Sequence, residues 1–207
     1  MLTTLFAMDP WIILTFIGAA FLLYLTPGAD MMFTIASGVA GGPRAGLAAA
    51  AGSSLGVLTH VVLAAAGLAV LVAASPVMLD VIRFAGAGYL AWLAYDNWTA
   101  DPKIGKPKGP AQVWRALRRG YLTNLLNPKV ILFILAFLPQ FTDPAIGPVW
   151  HQIVLLGVVL GLGGFLTGAT YGVFAGLAAE RVRKSAGIMN KISAVIFGGL
   201  AARLAIN

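Results

Sequence analysis

Leu25-Thr26-Pro27-Gly28-Ala29-Asp30 interrupts the first long apolar stretch of the chain with a proline, a glycine and an acid. About a hundred residues later, Asn124-Leu125-Leu126-Asn127-Pro128-Lys129 interrupts the fourth with two asparagines, a proline and a base. Reading these two breaks decides the fold, because each sits inside a stretch apolar enough for a bilayer. Helix-breaking residues at that depth are tolerated only where the freed backbone groups find protein or cavity water. Paired interruptions at corresponding places in two halves point to the binding region of a secondary transporter. The opposite charges at the two breaks strengthen the pairing.

Composition supports the membrane setting. The 207 residues are 59% apolar and only 10% charged, against roughly 25% charged in soluble domains. Several apolar runs exceed the roughly 20 residues that cross a bilayer as a helix. There is no cysteine, which excludes disulfides, thiolate metal sites and thiol catalysis. The net charge of +7 lies in the loops between apolar runs, where basic residues record membrane orientation. Those loops lack interleaved aromatics, so nucleic acid is not an expected partner. The sequence holds no Walker-type phosphate loop and no HExxH pair, so an ATP motor, a metal site and an enzyme are unsupported. No cofactor is implied. The stretch Met1 to Pro10 has no basic residue and no small-residue cleavage site follows, so the first run reads as a retained helix.

Six segments follow in order. The first, about Trp11 to Val39, would be about 43 Å long as a straight helix, too long for a hydrocarbon core of about 30 Å. Pro27-Gly28 supplies the break it needs. The second, about Ala45 to Ala74, carries Ala48, Gly52 and Gly56 at four-residue spacing and His60 near its middle. The third, about Val77 to Trp98, ends in Trp92, Tyr95 and Trp98, an aromatic belt. Thr99 to Val113 is the hydrophilic linker, with alternating lysines and prolines. It divides a single membrane domain into halves at 1–98 and 114–207. The fourth segment runs from about Trp114 to Pro139, broken at Asn127-Pro128. The fifth, about Val149 to Ala179, has Gly164, Gly168, Gly172 and Gly176 at strict spacing, with Gly157 and Gly161 on a neighbouring face. Such stripes serve close helix contact, within one chain or between two copies. The sixth runs from about Ile188 to Ala205.

Eleven of the 14 basic residues fall in the loops after segments one, three and five and at the adjoining helix entries. The positive-inside rule then puts both termini outside. Three spans per half is an odd number, so structurally repeated halves would be inverted. The expected architecture is an all-α, six-helix membrane protein built as two inverted three-helix repeats.

Asp30 and Lys129 lie well inside the hydrocarbon core, where a charge costs about 2.5–3.5 kcal/mol on insertion scales and is normally paired or functional. They read either as a structural ion pair or as a site. Exposed helix N-termini attract a carboxylate, unwound carbonyls attract an ammonium, and a titratable acid couples transport to protons. Asn124 and Asn127, three apart, read as lying on one helix face, their amides serving freed backbone groups or a polar cargo. His60 reads as a proton relay or a hydrogen-bonded packing residue, and Tyr171 as cavity lining or core.

These motifs resemble those of the lysine exporter / threonine–homoserine exporter (LysE/RhtB) family of small bacterial amino-acid exporters. The matching stretches are Leu25 to Asp30 and Gly120-Tyr121-Leu122-Thr123-Asn124-Leu125-Leu126-Asn127-Pro128-Lys129, continuing into Leu135 to Phe141. The Gly46–Gly56 region with His60, and Gly86-Ala87-Gly88-Tyr89-Leu90, fit as well. The resemblance spans nearly the whole chain. It implies a multi-pass exporter of the bacterial inner membrane, an antiporter driven by the proton gradient, with a neutral, threonine- or homoserine-like cargo. Where many members have a second proline after Pro27-Gly28, this chain has Ala29. The expected mechanism is alternating access around Pro27, Gly28, Asp30, Asn124, Asn127, Pro128 and Lys129. The competing readings are a small-cation transporter with Asp30 as ligand, and a membrane scaffold with no cargo.

Overall fold

The computed structural model describes residues 8–25, 28–67, 76–99 and 109–181, with the isolated positions 191, 194, 195, 198, 199, 201, 202 and 205. The described residues contain helices α1 (Pro10–Leu25), α2 (Ala29–Gly41), α3 (Pro43–Ala65), α4 (Pro76–Trp98), α5 (Pro110–Leu125), α6 (Pro128–Ala136) and α7 (Val149–Arg181). Two short 3-10 turns, Leu138–Phe141 and Pro144–Ile146, join α6 to α7. No strand occurs among the described residues.

Proline sets most of these boundaries. Helices α1, α3, α4, α5 and α6 all begin on a proline, at the position where its missing N–H would have no helical partner anyway. Both expected breaks are present. α1 and α2 meet at a bend of 58°, and so do α5 and the segment that follows it, Pro128–Phe141. Pro27, most of the linker and most of the sixth segment lie outside the described residues. The isolated positions near the end of the chain are helical.

Two boundaries differ from the sequence reading. The fourth segment starts at Pro110 rather than Trp114. Gly109, at φ 76°, turns the chain, and Pro110 can open a helix at once. Its α-helical part ends at Ala136, and Leu138–Phe141 tightens into a 3-10 turn. Pro139 has no N–H with which to continue the α-ladder.

α3 and Val149–Ala179 of α7 are each long and apolar enough to cross a membrane, and each bent pair passes as one span, giving up to four spans among the described residues. α4 is a further helix of 23 residues. Apolar side chains such as Leu22, Val62, Leu166 and Phe174 point outward, as a lipid-facing surface requires.

Glycine brings the inner helices together. α3 and α7 pack along their length, α2 packs against both, and α5 packs against α3 and α2. A Cβ on Gly172 of α7 would come within 2.8 Å of the Gly46 backbone in α3. One on Gly176 would meet Pro43, and one on Gly168 would lie 3.2 Å from the Ala50 methyl. Gly52 and Gly120 do the same between α3 and α5, against the backbones of Leu117 and Ala49. The glycine stripes are thus used for contacts within the chain, where lipid supplies no hydrophobic drive and close backbone packing must hold helices together. At the other end of the bundle, side chains fill the gaps. Phe16 stacks edge-on with Phe141 at 5.3 Å, and Phe133 lies parallel to Phe137 at 4.9 Å.

Candidate functional site

The two breaks meet. Gly28 precedes α2 in an extended conformation, φ −145°, which any residue can adopt. Glycine there leaves room for neighbouring side chains rather than relieving backbone strain. A Cβ on Gly28 would lie 3.0 Å from the Asp30 carboxylate and 3.4 Å from the Lys129 ammonium. Both charged ends therefore flank one bare stretch of backbone.

Asp30 sits in the first turn of α2, where the positive end of the helix dipole favours a carboxylate. Its Oδ1 accepts a hydrogen bond from Asn127 Nδ2 at 3.2 Å. The other side of that amide, Oδ1, accepts from the Lys129 backbone N–H at 3.1 Å and so caps α6. Asn127 is therefore not on a helix face shared with Asn124. It stands in the break itself, at φ −91° and ψ 103°, because Pro128 disfavours helical geometry in the residue before it.

Each break frees a carbonyl, and each freed carbonyl is met from elsewhere in the chain. In a continuous helix Leu23 would accept from residue 27 and Asn124 from residue 128, but both positions are proline and have no N–H. Lys129 Nζ donates to the Leu23 carbonyl at 2.7 Å. The Asn124 carbonyl accepts the Asn127 N–H at 2.9 Å and has His60 Nε2 at 3.4 Å. His60 thus reaches the second break from α3, and its neighbour Thr59 lies 3.4 Å, hydroxyl to hydroxyl, from Tyr121 of α5.

A cavity of about 40 Å³ lies against both breaks, lined by Leu23, Asp30, Asn124, Lys129, Ser53 and Tyr171 among others. That is room for about three water-sized occupants. Val57, Val130 and Leu160 form its apolar side. Asn124 is fully buried, and its side-chain oxygen and nitrogen have no hydrogen-bond partner among the described residues. The same holds for Ser53 Oγ. Tyr24, Thr34, Ser54 and Thr167 also line the cavity, and each gives its hydroxyl to a backbone carbonyl.

Asp30, Asn124, Lys129 and Tyr171, singled out in the sequence, are thus gathered around one cavity. His60 touches the break from behind rather than lining the cavity, and Pro27 lies outside the described residues. Sequence reasoning missed Ser53, Tyr24 and Thr34. A Ser-Ser pair between Gly52 and Gly56 in an Ala-rich helix, and a threonine one turn after Asp30, were the available signals.

Comparison with known proteins identifies the family. A family described as LysE type translocator matches residues 21–207. An uncharacterized membrane protein of Vibrio cholerae is 34% identical over 153 residues, 73% of this chain and 74% of its own length. A leucine efflux protein of Enterobacter is 31% identical over 198 residues, covering 92% of this chain and 93% of its own. A homoserine/homoserine lactone efflux protein of Salmonella typhi is 34% identical over 144 residues, 66% of this chain and 67% of its own. No solved structure matches. With nearly the whole chain matched and both breaks in place, the protein belongs to the LysE translocator family.

Proposed function

We propose that this protein exports neutral amino acids or close derivatives, threonine- or homoserine-like in size, across the bacterial inner membrane. One observation carries the reading: two broken helices present an acid and a base to the same small cavity. A zwitterion has complementary ends. Its ammonium fits Asp30 and the Leu23 carbonyl, and its carboxylate fits Lys129 and the N-termini of α2 and α6. The names of the leucine and homoserine efflux relatives support the same class of cargo.

Alternating access is the mechanism this reading takes. Lys129 now holds the Leu23 carbonyl, so an arriving ammonium would take over that carbonyl while the lysine turns to the cargo's carboxylate. Asp30 would pass the coupling proton, binding it when the cargo leaves. The two halves, 1–98 and 114–207, would rock as inverted repeats, with both termini outside. The cargo would enter by opening of the bundle, since the cavity has room for only a few water-sized occupants.

The test is efflux from cells preloaded with labelled threonine, homoserine and leucine, with and without a protonophore. Faster loss of an amino acid, abolished by the protonophore, supports the reading. Correctly inserted protein that moves none of them faster than empty cells would overturn it.

A further inference from the structure

We propose that Ser53 and Asn124 form a subsite that reads a hydroxyl on the cargo's side chain, so that hydroxyl-bearing amino acids are preferred over purely aliphatic ones. This rests on the exporter reading above and names the groups that would set its specificity.

The cavity contrasts two kinds of polar side chain. Tyr24, Thr34, Ser54 and Thr167 satisfy themselves on backbone carbonyls, the ordinary fate of a hydroxyl inside a helical bundle. Ser53 Oγ, Asn124 Oδ1 and Asn124 Nδ2 are buried with no such partner among the described residues. A buried polar atom left unmet costs about 1–3 kcal/mol, and folded proteins keep few of them without a reason.

Asn124's part in building the break belongs to its backbone carbonyl, which holds the turn and faces His60. The carboxamide is left over. α3 makes room for it at Gly56, where a Cβ would come within 2.8 Å of Asn124 Oδ1. Ser53 lies three residues before Gly56, on the same face of that helix. The two unmet groups both line the cavity that also holds Asp30 and Lys129.

A carboxamide and a hydroxyl offer donors and an acceptor together. A cargo hydroxyl can donate to Asn124 Oδ1 while accepting from Asn124 Nδ2 or the Ser53 O–H. An aliphatic side chain can do neither and would seal three polar atoms in a dry space. Sites built to bond a hydroxyl reject the analogue that lacks it far more strongly than apolar pockets reject a hydroxyl. The point discriminates, because the relatives include one named for leucine and one for homoserine.

The experiment is competitive efflux of labelled homoserine and leucine at equal internal concentration, with each rate read separately. The expected result is that homoserine leaves about tenfold faster, the ratio one lost hydrogen-bonding partner produces. Ser53→Ala should narrow that ratio several-fold. Asn124→Leu should invert it. Leucine leaving as fast as homoserine from the unaltered protein, or a ratio untouched by Ser53→Ala, would overturn the subsite and leave the exporter reading standing. If neither amino acid moves faster than in empty cells, both readings fall.

Discussion

The ammonium of Lys129, carried by the second helix break, holds the carbonyl of Leu23 in the first at 2.7 Å. In return Asn127 of the second break holds the carboxylate of Asp30, just beyond the first, at 3.2 Å. The two broken helices cap each other. Each partner sits where the dipole logic wants it, a cation at the C-terminal end of α1 and an anion at the N-terminal end of α2. Separating the breaks must undo both bonds together.

Lys129→Met removes the cation and leaves the Leu23 carbonyl without its side-chain donor. Unmet buried groups cost about 1–3 kcal/mol each, and a membrane offers no water to compensate. Efflux should fall by more than about tenfold, which is the rate equivalent of 1.4 kcal/mol. Membrane insertion should persist, because a methionine suits the bilayer better than a lysine. Near-normal efflux from fully inserted Lys129→Met protein would remove the lysine from the mechanism.

His60 allows its two readings to be separated. As a cap it needs only a donor toward the Asn124 carbonyl, now 3.4 Å away. As a relay it must also titrate. His60→Gln keeps an N–H donor and cannot titrate, whereas His60→Leu keeps neither property. The capping role predicts that Gln retains most of the efflux and that Leu loses several-fold. Equal loss in both variants, with thermal stability unchanged in detergent, would instead favour the relay.

Much of this was legible in the sequence, and what was not has a definable cause. Pro27-Gly28 and Asn127-Pro128 announced the breaks because proline cannot extend a helix through an N–H it lacks. The four-residue glycine spacing announced the contact face of α7 but not its partner. Only the fold shows Gly172 on Gly46 and Gly168 on Ala50. Asn124 and Asn127 looked like helix-face neighbours because spacing alone assumes an unbroken helix, and the break lies between them. Leu23 could not be found at all. Its part is played by a backbone carbonyl, and sequence patterns register side chains.

The glycine seam between α3 and α7 predicts a steep dependence on volume. At Gly46 a Cβ would collide with the Gly172 backbone, whereas at Gly168 it would only touch the Ala50 methyl at 3.2 Å. Overpacking a tight contact costs about 1–3 kcal/mol. Gly46→Leu should therefore unfold in detergent at markedly lower temperature than the unaltered protein, and Gly168→Ala should shift little. Comparable melting of the two variants would mean that the helices separate freely along this seam.

Asp30 carries the sharpest test of coupling. Asp30→Asn keeps an oxygen that can accept from Asn127 Nδ2, so the bond between the breaks survives in shape. It abolishes the charge and the proton. If Asp30 conveys the coupling proton, this variant should still exchange labelled for unlabelled amino acid across the membrane, because exchange needs no net proton movement and the amide oxygen still accepts from the cargo's ammonium. It should fail to export against a gradient, and a protonophore should no longer change its rate. Asp30→Ala should lose exchange as well, since it takes away the acceptor along with the charge. Uphill export by Asp30→Asn at the unaltered rate would show that the proton travels elsewhere and that the carboxylate serves the architecture of the breaks alone.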